Sequence, residues 1–560
     1  MSESPTTSPE KSQTSAAARI GRGILIVATL YVCYFSHLGA IGFVGPDEPR
    51  YAWIARAMAE TGDWVTPRLY GKAWFEKPPL YYWEAAISFK VFGVSEAAAR
   101  LPSAISALLA TLALAWLAWR MYGGETARWL LLLLPTTVGM IGFSHAAATD
   151  MPFSGMLTIA MVCAAVVLRL APAAGGGAGP APTSFSTPWA ALVLFGFFLG
   201  LAVLAKGPAG IILCGGAVFF WAIFTKRWRD AFRLLHPGAI ATFCLTALPW
   251  YILCARRNPD FFRIFIIEHN FKRFLTPEFQ HIQPFWFYIP VILVAFLPWT
   301  GTLLWSLTVG IPRAVRRRQI SDRASYFVYW GLFCLIFFSL SHSKLPGYIL
   351  PAVPAICLSM ARSSTGKASA EQSGFQIAHL AAALVFLCLA GTAGILGWTS
   401  IQPVHVAAKA ACAVIGLIAL ANLAIGVLAQ ARDMSSTGNL AAGFCILPIL
   451  LALLLSSRLL PAFFFGDPSG RTLAHELRAR GVPNDRIYVA HMRRGKEFSL
   501  SFYLHHETPS WDRNDPLEGY LLTSSRNCTR LVPQTWQCEE LPFDPQSTGE
   551  FLYRVSSRSQ

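Results

Sequence analysis

Long apolar runs, each long enough to cross a lipid bilayer, recur along most of this sequence. A membrane helix needs about 20 largely apolar residues, with a range of about 17–25. Only 14% of the 560 residues are charged and 54% are hydrophobic, whereas a soluble globular protein carries about 25% charged residues. The sequence therefore predicts a polytopic α-helical membrane protein.

Thirteen runs have the length of a span. A further run, "LYYWEAAISFKVFG" from Leu80, is short and contains Glu84 and Lys90, so it is either a fourteenth span or a helix at the membrane surface. Short loops rich in Lys and Arg stay cytoplasmic, and the basic loops share one side only if the Leu80 run does not cross. The thirteen predicted spans are 20–42, 97–120, 128–145, 150–170, 188–204, 207–224, 236–254, 285–310, 324–341, 346–361, 376–398, 405–430 and 438–457.

This topology divides the chain into three parts. Residues 1–18 are rich in Ser, Thr and Pro, which predicts a disordered cytoplasmic tail. Residues 19–457 are expected to form the transmembrane domain, with external loops at 43–96 and 255–284. Residues 458–560 mix short Tyr, Val and Leu runs with turn residues, which predicts a small external α/β domain.

Two cysteines, Cys528 and Cys538, lie in that polar C-terminal segment, whereas the other ten lie in or beside apolar runs. In an oxidising compartment the two can form a disulfide, and otherwise they remain free thiols. We favour the disulfide.

The cations of the external segments predict an anionic ligand. A net charge of +16 would suggest nucleic acid in a soluble protein, but here the basic residues lie in short loops between spans, which fits membrane orientation and lipid phosphate. Nucleic acid is therefore not expected as a partner. External loops should be poor in Lys and Arg, and this violation predicts a positive pocket for phosphate. The cations are Arg50, Arg56, Lys72, Lys77, Lys206, Arg256, Arg257, Lys272, Arg273 and Lys344.

The stretch "GPDEPRYAWIARAM" places two carboxylates directly after the first predicted span. Pro49 suits the first turn of a helix. Either Asp47 caps that helix and Glu48 interacts with its dipole, or the two acids serve a reaction at the membrane edge. Apolar residues at i, i+3, i+4 and i+7 predict an amphipathic helix on the membrane surface: Tyr51, Ile54, Ala55 and Met58.

Further polar residues follow in "GKAWFEKPPLYYWE" and "HAAATDMPF". Lys77 precedes two prolines that hold the backbone extended, and Glu76 can pair with it. Tyr81 and Tyr82 are either interface aromatics or substrate contacts. Asp150 begins a predicted span, where it either caps the helix or faces the pocket.

Five stretches resemble the GT-C membrane glycosyltransferases, which use polyprenyl-phosphate sugars, and among them the bacterial 4-amino-4-deoxy-L-arabinose transferases of lipid A. The likeness covers about Arg19 to Arg362. The Asp-Glu pair is shared by the whole superfamily, including protein O-mannosyltransferases, whereas the last stretch and the Phe-Glu-Lys-Pro-Pro sequence point more narrowly. The stretches are "GPDEPRYAWIARAM", "TGDWVTPRLYGKAWFEKPPLYYW", "RLPSAISALLATLALAWLAWRMYG", "EHNFKRF" and "SHSKLPGYILPAVP".

The resemblance implies a set of site residues. It assigns the catalytic carboxylates to Asp47, with Glu48, and to Asp150. It implies that Glu76 and His269 can share a divalent ion, zinc or manganese. Two ligands do not make a metal site, and for His269 we favour a hydrogen-bonding core histidine. No cofactor is required on this reading. The residues assigned to substrate binding are Arg50, Tyr51, Lys77, Tyr81, Tyr82, Lys206, Arg256, Lys344 and Tyr348.

The resemblance also implies a reaction. An inverting transferase would move 4-amino-4-deoxy-L-arabinose from undecaprenyl phosphate to lipid A phosphates at the periplasmic face of the bacterial inner membrane, which gives polymyxin and cationic-peptide resistance. Asp47 would act as a general base towards a hydroxyl acceptor, or orient the substrates if the acceptor is an ionised phosphate. The enzyme is expected to be a monomer in the bilayer.

Two alternatives remain at this point. One is a polyprenyl-phosphate-sugar transferase that acts on a protein hydroxyl or another glycan. The other, from a different class, is a lipid-phosphate flippase or transporter. A transporter predicts inverted repeats with broken helices in matching halves, and the sequence shows no such internal symmetry.

Overall fold

The protein is described here by a computed structural model that covers residues 16–171, 189–272, 282–310, 322–364, 379–395 with gaps at 381, 385 and 392, 404–428, 469–543 and 549–557. Most of these residues are helical. The α-helices before the C-terminal domain are Ala16–Tyr34, Asp47–Thr61, Leu80–Phe92, Glu96–Tyr122, Gly124–Leu133, Val138–Ser144, Asp150–Val167, Trp189–Lys206, Ala209–Thr225, Trp228–Ala231, Pro237–Arg257, Tyr288–Ala295, Thr300–Trp305, Asp322–Leu340, Val353–Ser364 and Val404–Leu428. Shorter 3₁₀ or π segments are Phe232–Leu235, Arg263–Lys272, Phe285–Phe287, Ser306–Gly310 and Pro346–Ala352.

Five of the described helices are long and apolar enough to cross a membrane, and six spans result if one bent pair is counted as a span. The bent pair, Gly124–Leu133 with Val138–Ser144, turns by 62° within the predicted span 128–145. The predicted span 438–457 and most of the tail 1–18 lie outside the described residues. The count of thirteen therefore stays a prediction. The five helices are Glu96–Tyr122, Asp150–Val167, Trp189–Lys206, Pro237–Arg257 and Asp322–Leu340.

The run from Leu80 forms a helix of 13 residues, Leu80–Phe92. At about 1.5 Å per residue it is about 20 Å long, shorter than the bilayer's hydrocarbon thickness of about 30 Å. This length agrees with the prediction that the run does not cross.

The first loop, residues 43–96, is folded against the transmembrane helices. Its helix Asp47–Thr61 ends at Gly62, which takes a left-handed conformation with φ of 73°, where glycine pays no steric penalty. A two-stranded antiparallel ribbon, β1 (Arg68–Leu69) and β2 (Lys72–Ala73), connects this helix to Leu80–Phe92. Buried aromatic and alanine side chains of the two helices form a separate core cluster, so the loop is a packed unit.

The C-terminal domain has the α/β structure that the sequence predicts. Its four-stranded sheet has the order β3-β4-β6-β5, with β3 and β4 parallel and the other two pairings antiparallel. Cys528 and Cys538 form a disulfide, which confirms the favoured reading. The strands are β3 Ile487–Ala490, β4 Gly519–Thr523, β5 Trp536–Glu540 and β6 Phe551–Ser557, and the helices are Arg471–Ala479, Arg494–Leu504 and two 3₁₀ turns, Asn484–Arg486 and Cys528–Arg530.

One helix of this domain, Arg494–Leu504, packs on the first loop, and we call it the docking helix. The Phe502 ring lies edge-on to Phe43 with centroids 4.8 Å apart, and Ser499 Oγ donates to the Phe43 carbonyl at 3.2 Å. Tyr503 Oη donates to Glu96 at 2.7 Å. The C-terminal domain therefore lies directly against the segment that carries Asp47.

Candidate active site

Arg50 is the centre of a charged cluster in the first loop. It is 7% exposed, its Nε donates to the Pro46 carbonyl at 2.8 Å, and a terminal nitrogen pairs with Glu76 at 3.1 Å. The other terminal nitrogen pairs with Asp47. Lys77 Nζ lies 3.7 Å from the same Glu76 carboxylate, so these two acids and two cations form one network.

Asp47 does not cap the helix that it begins. The N-cap residue is Pro46, and no side chain caps this end. The Asp47 carboxylate instead binds Arg50 and is 47% exposed, so it remains accessible to a ligand. The capping alternative is therefore not what the structure shows.

Aromatic rings enclose the Arg50 guanidinium. Its carbon lies 5.5 Å from the Trp74 ring, 5.9 Å from the Tyr51 ring and 5.3 Å from the ring of Phe498, which comes from the docking helix. Cation–π contacts are strongest where water is excluded. These rings hold the guanidinium in one position.

Two buried hydrogen-bond donors beside this cluster, Tyr82 Oη and Trp74 Nε1, have no partner among the described residues. Burial, followed by the charge of Glu76, raises the pKa of both Tyr51 and Tyr82 well above the ordinary value. Both phenols therefore stay protonated and can donate.

Glu48, next to Asp47, has a different environment. It is 8% exposed, and its two carboxylate oxygens accept hydrogen bonds from Arg100, at 3.0 and 2.8 Å, from Val44 N at 2.8 Å and from Ala147 N at 2.8 Å. Arg100 also donates to the carbonyls of residues 38, 41 and 42. Protein donors thus surround the Glu48 carboxylate.

A second cluster combines three distant parts of the sequence. Lys206 Nζ lies 2.5 Å from Asp150 Oδ1 and 4.7 Å from the centroid of the Tyr348 ring. A Cβ atom at Gly347 would lie 2.7 Å from the Phe143 ring and 2.8 Å from the same Asp150 oxygen, so a larger residue there would displace these side chains. As with Asp47, the Asp150 side chain does not cap its own helix, whose N-cap residue is Thr149.

Contacts connect the two clusters through the turn before Asp150. Glu48 accepts from Ala147 N at 2.8 Å, and Ser103 Oγ donates to the Ala146 carbonyl at 2.7 Å. The acid adjacent to Asp47 therefore also holds the turn that leads to Asp150.

Three residues assigned to substrate binding lie elsewhere or have other contacts. Lys344 is buried, and its ammonium donates to the Gln283 and Ser341 carbonyls at 3.0 and 2.5 Å. Tyr81 is buried and its hydroxyl donates to the Ala99 carbonyl at 2.9 Å. Arg256 is exposed in the last turn of Pro237–Arg257.

The assignment of a metal to Glu76 and His269 stays a prediction. Glu76 is engaged by Arg50 and Lys77, so a divalent ion would have to replace or share these contacts. The side chain of His269 lies outside what the structure describes. Among the described residues, no group of three or more metal-ligating side chains occurs.

The sequence motifs do not single out Arg100, Trp74 or Phe498. Arg100 is an arginine inside the predicted span 97–120, and a charge in a span is a functional signal in its own right. Phe498 carries no such signal, because its contact with Arg50 joins residues more than 400 positions apart in the chain.

Comparison with known proteins agrees with this architecture. A model of the dolichyl-phosphate-mannose-protein mannosyltransferase family matches residues 21–265. The crystal structure of ArnT from Cupriavidus metallidurans bound to undecaprenyl phosphate has a TM-score of 0.78 at 23% sequence identity, and covers 97% of this chain and 98% of that chain. The shared fold is that of the GT-C membrane glycosyltransferases.

Sequence relatives define the family more closely. The undecaprenyl phosphate-alpha-4-amino-4-deoxy-L-arabinose arabinosyl transferase of Serratia proteamaculans is 33% identical over 416 residues, which are 73% of this chain and 71% of that protein. The corresponding transferase 2 of Sodalis glossinidius is 34% identical over 342 residues, 61% of this chain. The chain belongs to this family of arabinosyl transferases. It spans 59% of the length of the Sodalis protein.

Proposed function

We propose that this protein is an inverting glycosyltransferase that moves 4-amino-4-deoxy-L-arabinose from undecaprenyl phosphate to lipid A phosphates, at the periplasmic face of the inner membrane. The observation that carries the proposal is the network of Asp47, Arg50, Glu76 and Lys77 beside two buried donors without a described partner. The names of the sequence relatives support the donor, and the acceptor is part of the proposal.

The reaction needs stabilisation of a departing phosphate. An acceptor phosphate oxygen forms a bond to the anomeric carbon, the bond from that carbon to the undecaprenyl phosphate oxygen breaks, and the electron pair leaves with this oxygen. Arg50 and Lys77 are placed to neutralise the leaving phosphate, since arginine binds phosphate through two parallel hydrogen bonds and lysine acts as a point charge. A site enclosed by apolar groups strengthens both interactions relative to water.

The buried donors Tyr82 Oη and Trp74 Nε1 suit the polar groups of the donor. A buried donor without a partner costs about 1–3 kcal/mol. A sugar hydroxyl or phosphate oxygen bound beside Arg50 would remove this cost, so the same geometry that is unfavourable in the empty protein favours the complex.

Asp47 and Asp150 have distinct roles in this scheme. An ionised phosphate acceptor has no proton to lose, so Asp47 orients the acceptor or the donor's amine and stabilises positive charge at the anomeric carbon. Asp150 holds the Lys206 ammonium in place. Glu48, surrounded by protein donors, fixes the position of Asp47 and does not contact the substrates.

A divalent ion is not needed by this scheme. If one binds, Glu76 and His269 are the residues that would hold it, and it would add positive charge beside the leaving phosphate. Metal analysis of the purified protein checks this point separately.

The direct test is mass spectrometry of lipid A from cells with and without the protein. We expect an added aminopentose on each modified phosphate only when the protein is present, and loss of that addition with Asp47→Asn. Unchanged lipid A would contradict the proposal. Sugar on a protein hydroxyl would then support the second candidate, which the mannosyltransferase family match favours.

A further inference from the structure

Two arginines contact one aromatic ring where the C-terminal domain meets the first loop. The Phe498 ring lies 5.3 Å from the guanidinium carbon of Arg50 and 5.4 Å from that of Arg494. Arg50 belongs to the charged cluster around Asp47, and Arg494 is the first residue of the docking helix. A cation of the C-terminal domain is therefore held beside the candidate active site.

The backbone contact at this junction is close. A Cβ atom at Gly495 would lie 2.8 Å from the carbonyl carbon of Gly45, and Gly45 is two residues before Asp47. Backbone cannot move away cheaply, so this contact fixes the start of the docking helix against the turn that presents Asp47. The position of Arg494 relative to that turn is correspondingly fixed.

The two arginines differ in their other partners. Arg50 is buried and its guanidinium is shared by Asp47, Glu76 and the Pro46 carbonyl. Arg494 is exposed. Its charge acts on the Glu497 carboxylate of the same helix, but among the described residues no carboxylate forms a direct ion pair with it. Arg50 is thus held in position by the network, while the guanidinium of Arg494 is exposed beside the same ring.

We propose that Arg494 binds the anionic phosphate of the acceptor glycolipid at the entrance to the site, where the Phe498 ring contacts both guanidinium groups, so that Arg494 contacts the acceptor and Arg50 the donor. This inference rests on the proposed function and assigns acceptor recognition to the C-terminal domain. Guanidinium suits a phosphate monoester because its N–H groups match two phosphate oxygens.

Arg494 has a matched control in the same domain. Arg526 is also exposed and also lies over an aromatic ring, with its guanidinium carbon 5.9 Å from Phe551, a residue of strand β6. A role in packing alone predicts similar effects for both arginines. A role in acceptor binding predicts an effect for Arg494 only.

The test measures transfer to lipid A in phosphatidylcholine vesicles that contain the full-length protein. For Arg494→Ala we expect the KM for lipid A to rise about tenfold, the loss expected for one charged hydrogen bond, with the KM for the donor and the melting temperature unchanged. Arg494→Lys should recover part of the affinity, and Arg526→Ala should resemble wild type.

Several results would overturn the inference. These are an unchanged KM for lipid A, an equal rise in both KM values, or equal effects of the two alanine variants. Strong inhibition of the wild type by added phosphatidylglycerol would instead make bilayer headgroups the ligand of Arg494. Binding of lipid A to the protein in nanodiscs, measured without donor and corrected for empty nanodiscs, separates the two claims. If the wild type binds lipid A more tightly than Arg494→Ala but transfers no sugar, only the proposed function is contradicted. If Arg494→Ala transfers sugar as the wild type does, only this inference is contradicted.

Discussion

The first-loop cluster and the Asp150–Lys206 cluster use similar residue types in different ways. In the first loop, Arg50 is shared by two acids and Glu76 by two cations. In the second cluster, one lysine faces one aspartate beside the Tyr348 ring. Loss of Asp47 would leave the Arg50–Glu76–Lys77 contacts of the network in place, whereas loss of Asp150 would remove the ion pair that the described residues give Lys206.

In both clusters acids accompany the cations, so neither cluster is the purely positive pocket that the sequence predicts. Among the described residues, two carboxylates contact two cations in the first cluster, and one carboxylate contacts one cation in the second. The cations are therefore held in position by acids before a phosphate arrives. A phosphate must approach cations that are already oriented, which lowers the ordering cost on binding.

The largest expected effect is on turnover in the first cluster. Asp47→Asn should lower kcat by about 100-fold or more, the range for loss of a group that stabilises charge in the transition state, while folding stability falls by less than about 1 kcal/mol because this half-exposed ion pair contributes little. Initial rates with purified protein measure the effect. Glu60→Gln, which alters another exposed acid of the same helix, serves as the control, and near-normal turnover of Asp47→Asn would remove Asp47 from the reaction.

The second expected effect is on folding stability. Loss of the acid in the Asp150–Lys206 cluster should lower stability more than loss of Asp47 in the first-loop cluster. The Lys206 side chain is 11% exposed, and Asp150 is the only carboxylate among the described residues that forms an ion pair with it. Asp150→Asn removes that carboxylate charge. We expect a loss of about 1–3 kcal/mol, seen as a lower melting temperature than that of Asp47→Asn. Equal melting temperatures would show that the shared network and the single pair do not differ as described.

Much of the first cluster could be predicted from sequence because its members are local. Helical spacing brings Asp47 next to Arg50. Lys77 directly follows Glu76 in the sequence and precedes the stiff Pro-Pro segment. The contact of Arg50 with Glu76 across 26 positions depends on how the loop folds back, which periodicity does not specify. Asp150 and Lys206 were both predicted as site residues, but only the fold shows that they pair.

The remaining differences have the same physical origin. Glu48 and Asp47 are adjacent and chemically alike, yet Glu48 accepts hydrogen bonds from Arg100 and from Ala147 N, whereas Asp47 is exposed. The two side chains differ because successive helical residues point about 100° apart. Tyr81 and Tyr82 differ similarly: the first hydroxyl bonds to Ala99 and the second has no described partner. Hydropathy predicted spans but not the bend of 62°.

We assign Lys77 and Lys206 to substrate binding together, and we expect both ammonium groups to act on the same donor phosphate. A double-mutant cycle on kcat/KM for the donor tests this claim most directly. Lys77→Ala and Lys206→Ala are made singly and together. If both ammonium groups serve the same phosphate, the combined effect should differ from the sum of the single effects by at least about 0.5 kcal/mol, whereas independent sites add within about 0.3–0.5 kcal/mol. A coupling energy above this range would support a single site, and strict additivity would contradict it.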